Sequence, residues 1–173
     1  LVGIEVPIYH PVSEEHPHIM MVGFLDIVLR NTVTDEIVII DIKTSTMGWN
    51  KYQKADTLKA QQLVLYKEYY SKQFDVDPNK IHVEYFIVKR QLMEGAMFPQ
   101  KRVQQFRPAS GKPTRNKLSR DLFQFVESSF NKDGSYKLDK EYPAVGGKAF
   151  KNCKYCEFSS NEDLCPKANR IKE

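Results

Sequence analysis

Two apolar runs, residues 19–30 and 36–43, stand only five turn-forming residues apart, and each carries one aspartate, Asp26 and Asp41. Both runs are rich in β-branched and aromatic residues, so each reads as a strand. A connection this short pairs them as an antiparallel hairpin. A carboxylate inside such a strand loses hydration and is stable only if it is paired or holds a cation. Strand side chains alternate, so Asp41 and Lys43 point to one face. Pairing of the hairpin brings Asp26 within reach of Asp41.

The rest of the chain builds around this hairpin. Residues 2–9 read as a short edge strand, with Pro7 near its end. Residues 10–18 read as a loop, with His10, His16 and His18 solvated. Residues 54–74 switch to a helical period, with Leu58, Gln62, Leu65, Tyr66 and Tyr69 on one face. Pro78 lies in the segment that ends this helix. Residues 81–90 are a further strand and 103–107 a weaker one. Residues 114–130 form a second amphipathic helix with Leu118, Leu122, Phe125, Val126 and Phe130 as its stripe. Strands mixed with helices in this order predict an α/β fold, a central mixed β-sheet flanked by helices. Residues 1–150 are expected to form its core, and residues 151–173 a cysteine-containing tail packed on the same domain. The chain opens on Leu1 without a methionine and is read as N-terminally truncated.

A hydrophobic fraction of 41% over 173 residues is that of a globular domain rather than a disordered chain. No apolar run reaches the roughly 18 residues of a membrane span, and the first residues lack a signal-peptide pattern. An intracellular location without a membrane partner is the expectation. The net charge of +4 permits a polyanionic partner. Between residues 101 and 120, Lys101, Arg102, Arg107, Lys112, Arg115, Lys117 and Arg120 meet no acid until Asp121. That run is either a solvated face or a phosphate-contacting one.

Two neighbouring carboxylates repel each other, and a divalent metal resolves the repulsion; hard oxygen ligands suit Mg²⁺ or Mn²⁺. A lysine beside one ligand can orient a water or stabilise charge growing on a phosphate. These parts together hydrolyse a phosphodiester. The plainer alternative is a surface ion pair between Asp41 and Lys43 at a strand end.

Three motifs favour the first reading. Gly23-Phe24-Leu25-Asp26 resembles the Gly-x-x-Asp of RecB-like nucleases in the PD-(D/E)XK superfamily. Ile39-Ile40-Asp41-Ile42-Lys43-Thr44-Ser45 resembles that group's apolar strand ending in (D/E)-x-K. Gln62-Leu63-Val64-Leu65-Tyr66 is similar to its Gln-x-x-x-Tyr. The resemblance spans residues 5–90 and implies a restriction-endonuclease-like core. It implies that Asp26, Asp41 and the Ile42 carbonyl bind Mg or Mn, and that Lys43 acts on water or phosphate. Gln62 and Tyr66, on one helical face, would contact DNA or support the site; plain packing is the alternative for Tyr66. Many relatives add a His or Glu from an upstream helix that this chain does not contain. Glu5, in the first strand, is the nearest substitute, although a surface role also suits it. The implied activity is that of a DNA nuclease, an exonuclease without sequence specificity, in repair, recombination or phage replication. For a phage protein the location would be host cytoplasm. The alternative is a catalytically silent nuclease-like domain that binds DNA or protein.

Cys153, Cys156 and Cys165 are the only cysteines, an odd set that does not suit a secreted disulfide framework. Thiolates at C-x-x-C spacing can wrap a metal or cluster. The resemblance extends to iron–sulfur exonucleases, which implies a [4Fe-4S] cluster completed by a fourth ligand outside this chain; the alternatives are zinc or three free cysteines. No base-reading motif is present. Lys89, Arg90, Arg102 and Arg115 are candidates for phosphate contact with DNA that is single-stranded or has single-stranded ends. Trp49 and Tyr52 would stack on unpaired bases, unless Trp49 only anchors its loop. A helicase or other repair or replication subunit is a further candidate partner.

Overall fold

A computed structural model describes residues 1–139 and 143–171. The chain divides into two compact units, Leu1–Ser135 and Tyr136–Glu173. The first contains β1 (Gly3–Pro11), β2 (Met20–Arg30), β3 (Ile37–Ser45), α1 (Lys51–Ala55), α2 (Thr57–Phe74), β4 (Ile81–Lys89), β5 (Val103–Phe106) and α3 (Lys112–Ser129). The five strands form one mixed sheet in the order β1-β2-β3-β4-β5. As expected, β2 and β3 pair antiparallel, from Ile27 opposite Ile40 to Arg30 opposite Ile37. β3 then runs parallel to β4, from Ile37 beside Ile81 to Ser45 beside Lys89. A parallel neighbour needs a long crossover, and α1 with α2 supplies it.

α2 lays Leu63, Tyr66, Tyr69 and Tyr70 on the sheet, against Ile8, Leu25, Val28, Ile39, Val83, Tyr85 and Ile87. Burying each such side chain contributes about 1.5–3 kcal/mol, so this layer dominates the unit's stability. Both helices depart in detail from the expected stripes. Asp56 is extended (φ −68°, ψ 109°), which breaks the expected single helix into α1 and α2. Its carboxylate instead caps α2 through the Leu58 amide at 3.0 Å. Leu58 therefore stands in the first turn, 71% exposed, rather than in the core. On α3, Leu118 and Val126 are buried but Phe125 is exposed.

Two histidines also depart from expectation: His10 lies in β1, half-buried, with its ring 5.9 Å from that of Tyr69, and His16 is buried. His18 is exposed, but His16 is only 2% exposed. Its Nε2 lies 2.9 Å from Glu127 of α3, and Phe123 meets the ring edge-on. The β1–β2 loop is thus tied to α3 rather than solvated.

The second unit is built of short pieces. β6 (Ala144–Val145) pairs parallel with β7 (Arg170–Ile171), and three short 3-10 helices lie between them. The Arg170 guanidinium donates to the Ser159 and Cys165 carbonyls, which ties the second of these helices and the chain that follows it to β7.

Candidate active site

The alternation of β3 turns Asp41 and Lys43 toward the α2 face. Asp41 is 3% exposed, and the parallel register sets it beside Tyr85. Lys43 places its ammonium 2.8 Å from Asp41 Oδ2. The approach is oblique, and this buried oxygen receives no hydrogen bond of good geometry. Burial pushes the Asp41 carboxyl above its ordinary range; Lys43 opposes that shift and the charge of Asp26 adds to it. A carboxylate buried this deeply, with one ammonium as its neighbouring charge, is further stabilised by a cation.

Asp26 reaches the same place by a different route. The β2–β3 ladder stops at Ile27 and Ile40. Where the next backbone acceptor would stand, the Asp26 carboxylate accepts the Ile42 N–H at 2.7 Å. A strand residue's N–H and C=O point the same way, so the Ile42 carbonyl also faces the opening beside Asp26. Two carboxylates and a carbonyl form a hard oxygen set of the kind Mg²⁺ or Mn²⁺ takes, and the residues present fit such an ion.

Lys43 also opens onto a cleft of about 390 Å³, shared with Thr44, Ser45, Trp49, Lys59 and Gln62. The Tyr85 ring underlies the ammonium at 6.0 Å, and its hydroxyl donates to the Lys59 carbonyl at 2.5 Å. Burial, with the Asp41 charge, holds that phenol far above its usual range, so it stays neutral. Gln62 donates to the Tyr66 hydroxyl at 3.1 Å. A Cβ placed on Gly23 would lie 2.8 Å from the Tyr66 ring. Two of the sequence motifs are thus in contact: the glycine of one makes room for the tyrosine of the other. We expect Gly23→Ala to destabilise the protein by about 1–3 kcal/mol through overpacking. Urea denaturation checks this, and an unchanged midpoint would show that the ring yields freely.

One positioning residue had no signal in the sequence. Gln104 of β5 accepts the Trp49 N–H at 2.7 Å and donates to the Trp49 carbonyl at 3.1 Å. It pins the loop after β3, whose turn needs Gly48 at φ 92°. Trp49 is packed against the core, 5.0 Å from Tyr85, while Tyr52 is exposed.

The basic candidates separate into two groups. Ser45 pairs with Lys89, so Lys89 and Arg90 stand at the same end of the sheet as Lys43. Arg90 donates to Thr46 Oγ1 at 2.9 Å, and Arg102 donates to the Lys89 carbonyl at 3.0 Å. Arg115 is a correction. It is buried between the helices, 3.6 Å from Glu68 and beside buried Lys67, whose pKa burial lowers and the Arg115 charge lowers further. Such a side chain offers no surface to a phosphate. Arg107 is likewise paired, with Glu84. The basic run is therefore partly neutralised by acids distant in sequence.

In the second unit all three cysteines are free thiols, with Cys156 the exposed one. Among the described residues no three His, Cys, Asp or Glu side chains gather as a metal-holding group, so these thiols as placed do not form a ligand set. No helix among the described residues is long and apolar enough to cross a membrane. A family model for the PD-(D/E)XK nuclease superfamily matches residues 1–165. No curated protein matches the chain.

Proposed function

This chain belongs to the PD-(D/E)XK nuclease superfamily, whose activity is metal-dependent cleavage of nucleic acid, and from that premise we propose a DNA exonuclease of the RecB-like group. The observation that carries the reading is the meeting of Asp26, Asp41 and Lys43 at the end of β3, against an open cleft. In this reading Asp26, Asp41 and the Ile42 carbonyl hold Mg²⁺ or Mn²⁺. An ion held there would supply Lewis-acid polarisation of the phosphodiester and a more acidic water. Lys43, held over Tyr85, offsets the charge that builds on the phosphate and orients the attacking water. Gln62 faces the cleft and fixes the Tyr66 hydroxyl, and Tyr66 in turn fills the space above Gly23. Gln104 keeps the loop wall in place.

The substrate in this proposal is DNA with single-stranded ends, processed in repair, recombination or phage replication beside a helicase or similar subunit. Support for sequence independence comes from the sequence, which carries no base-reading motif, and from Lys89, Arg90 and Arg102, which cluster at the sheet end beside Lys43, where they would meet a phosphate backbone. The direct test incubates labelled single- and double-stranded DNA with Mg²⁺ or Mn²⁺, with Asp41→Ala and Lys43→Ala alongside. Metal-dependent loss of end label by the wild type alone supports the proposal. Equal inertness of all three leaves a silent binding domain.

Binding in EDTA separates the basic residues. Lys89→Ala and Arg102→Ala should each lower the slope of log K against log salt by about 0.7–0.9, the value of one phosphate contact. Arg115→Ala should leave the slope unchanged. A slope that fell with Arg115→Ala would return that residue to the interface.

The proposal extends to Cys153, Cys156 and Cys165, which would share a [4Fe-4S] cluster or zinc with a fourth ligand outside this chain. C-x-x-C spacing supports it; gathering the thiols requires the tail to rearrange. Iron, sulfide and zinc analysis of the isolated protein decides among cluster, zinc and neither.

A further inference from the structure

The β1–β2 ladder has one gap. Ile4 pairs with Ile27 and Val6 with Leu25, but Glu5 and Asp26, which face each other between those pairs, do not pair. Glu5 has φ 51°, the left-handed region that a residue with a Cβ enters at a cost. The side chains show what the gap does. In a regular strand, residues three apart point to opposite faces. Yet Leu25 and Val28 are both fully buried in the core under α2. On the partner strand, a Cβ on Gly3 would lie 2.6 Å from the Val6 side chain, so these two also share a face. Both strands therefore change phase at the same level, by one unpaired residue each.

This phase change is what the site requires. Gly23 must face α2, because the Tyr66 ring lies against it. Asp26 must reach the β3 edge, where it takes the Ile42 amide next to Asp41. With a spacing of three, an uninterrupted strand sends the two residues to opposite faces. From these facts we infer that Glu5 is a positioning residue: its left-handed backbone, not its exposed carboxylate, lets β1 follow the phase change that turns Asp26 into the site. The inference rests on the proposed metal-dependent reading for its functional meaning. Its structural content does not.

The test uses the full chain and substitutions at position 5 ranked by their tolerance of positive φ. Glycine enters that region freely, alanine with difficulty and valine least. Two readouts need no cleavage: hydrogen exchange of the Ile42 amide in the metal-free protein, and titration with Mn²⁺ alone. Glu5→Gly should match the wild type in both, although it lacks the carboxylate. Glu5→Val should weaken Mn²⁺ binding by about 10- to 100-fold, as loss of an orienting partner does, and should speed Ile42 exchange while the far-UV spectrum is kept. Glu5→Ala should fall between them, so the Gly–Ala comparison decides the matter even if the valine variant is insoluble. The inference is overturned if Glu5→Gly loses Ile42 protection and Mn²⁺ affinity, or if Glu5→Ala equals or exceeds Glu5→Gly in both. If the Ile42 exchange rates rank as stated but the wild type neither binds Mn²⁺ nor cuts DNA, the positioning role stands and the nuclease reading falls.

Discussion

Asp41→Asn is expected to abolish DNA cleavage and, in the same protein, to raise the melting temperature of the metal-free form at neutral pH. The first effect follows from losing an anionic ligand. Metal-derived stabilisation of developing charge is worth several kcal/mol, so a loss of about a thousandfold or more is expected. The second follows from burial. The folded protein holds the Asp41 pKa above the ordinary 3.8, chiefly by desolvation. A carboxyl whose folded pKa is raised costs nothing below its unfolded value. The cost appears as pH rises from the unfolded toward the folded pKa and is complete above it. At pH 7, above the unfolded pKa, the metal-free wild type bears this cost, and the neutral amide bears none. Lys43 loses its partner, but its side chain is 37% exposed and water screens that loss. Scanning calorimetry in EDTA at pH 4 and pH 7 should show the wild type losing stability between the two relative to Asp41→Asn. Added Mg²⁺ should reverse the order: at 100 times its Kd the ion contributes about 2.7 kcal/mol, roughly 5–10 °C here, to the wild type alone. A variant that still cuts DNA within tenfold of wild type, or melts lower in EDTA at pH 7, contradicts this account.

What could be read from the chain itself was what depends on neighbours in sequence. The β2–β3 hairpin follows from two apolar runs and a short turn, and strand alternation puts Asp41 with Lys43 without further information. Gln62 and Tyr66, four apart on a helix, meet for the same reason. Errors arose where a distant partner decides. His16 looks like a loop residue until Glu127 and Phe123 arrive from α3. Arg115 sits in a basic run, and the acid that claims it, Glu68, lies on another helix. Leu58 fits the helical period and is exposed because Asp56 prefers to cap the next helix rather than continue the first. The contact of Gly23 with Tyr66, the clamp of Gln104 and the left-handed backbone of Glu5 have no local signal at all. Each exists only once the sheet and α2 are together. Much of the site's precision therefore sits where single-sequence reading is weakest.

Lys43→Met should shift stability in the opposite direction to Asp41→Asn while also suppressing cleavage. Losing one positioned cationic group aimed at a phosphate costs about 10²–10³ in turnover. Mg²⁺ binding should survive, because both carboxylates remain. In the metal-free protein, however, Asp41 keeps its buried charge and loses the ammonium that opposed the rise in its pKa. Its folded pKa moves further up, so the variant is destabilised at neutral pH, by about 1 kcal/mol or less after screening. Mg²⁺ then replaces the missing counter-charge. The gain in melting temperature on adding Mg²⁺ should be largest for Lys43→Met, smaller for the wild type and near zero for Asp41→Asn. A purely structural ion pair between Asp41 and Lys43 requires something different: both substitutions would destabilise, by similar amounts, and Mg²⁺ would move neither. Three melting curves, each taken with and without the ion, therefore discriminate a metal centre from a surface bridge before any DNA is added.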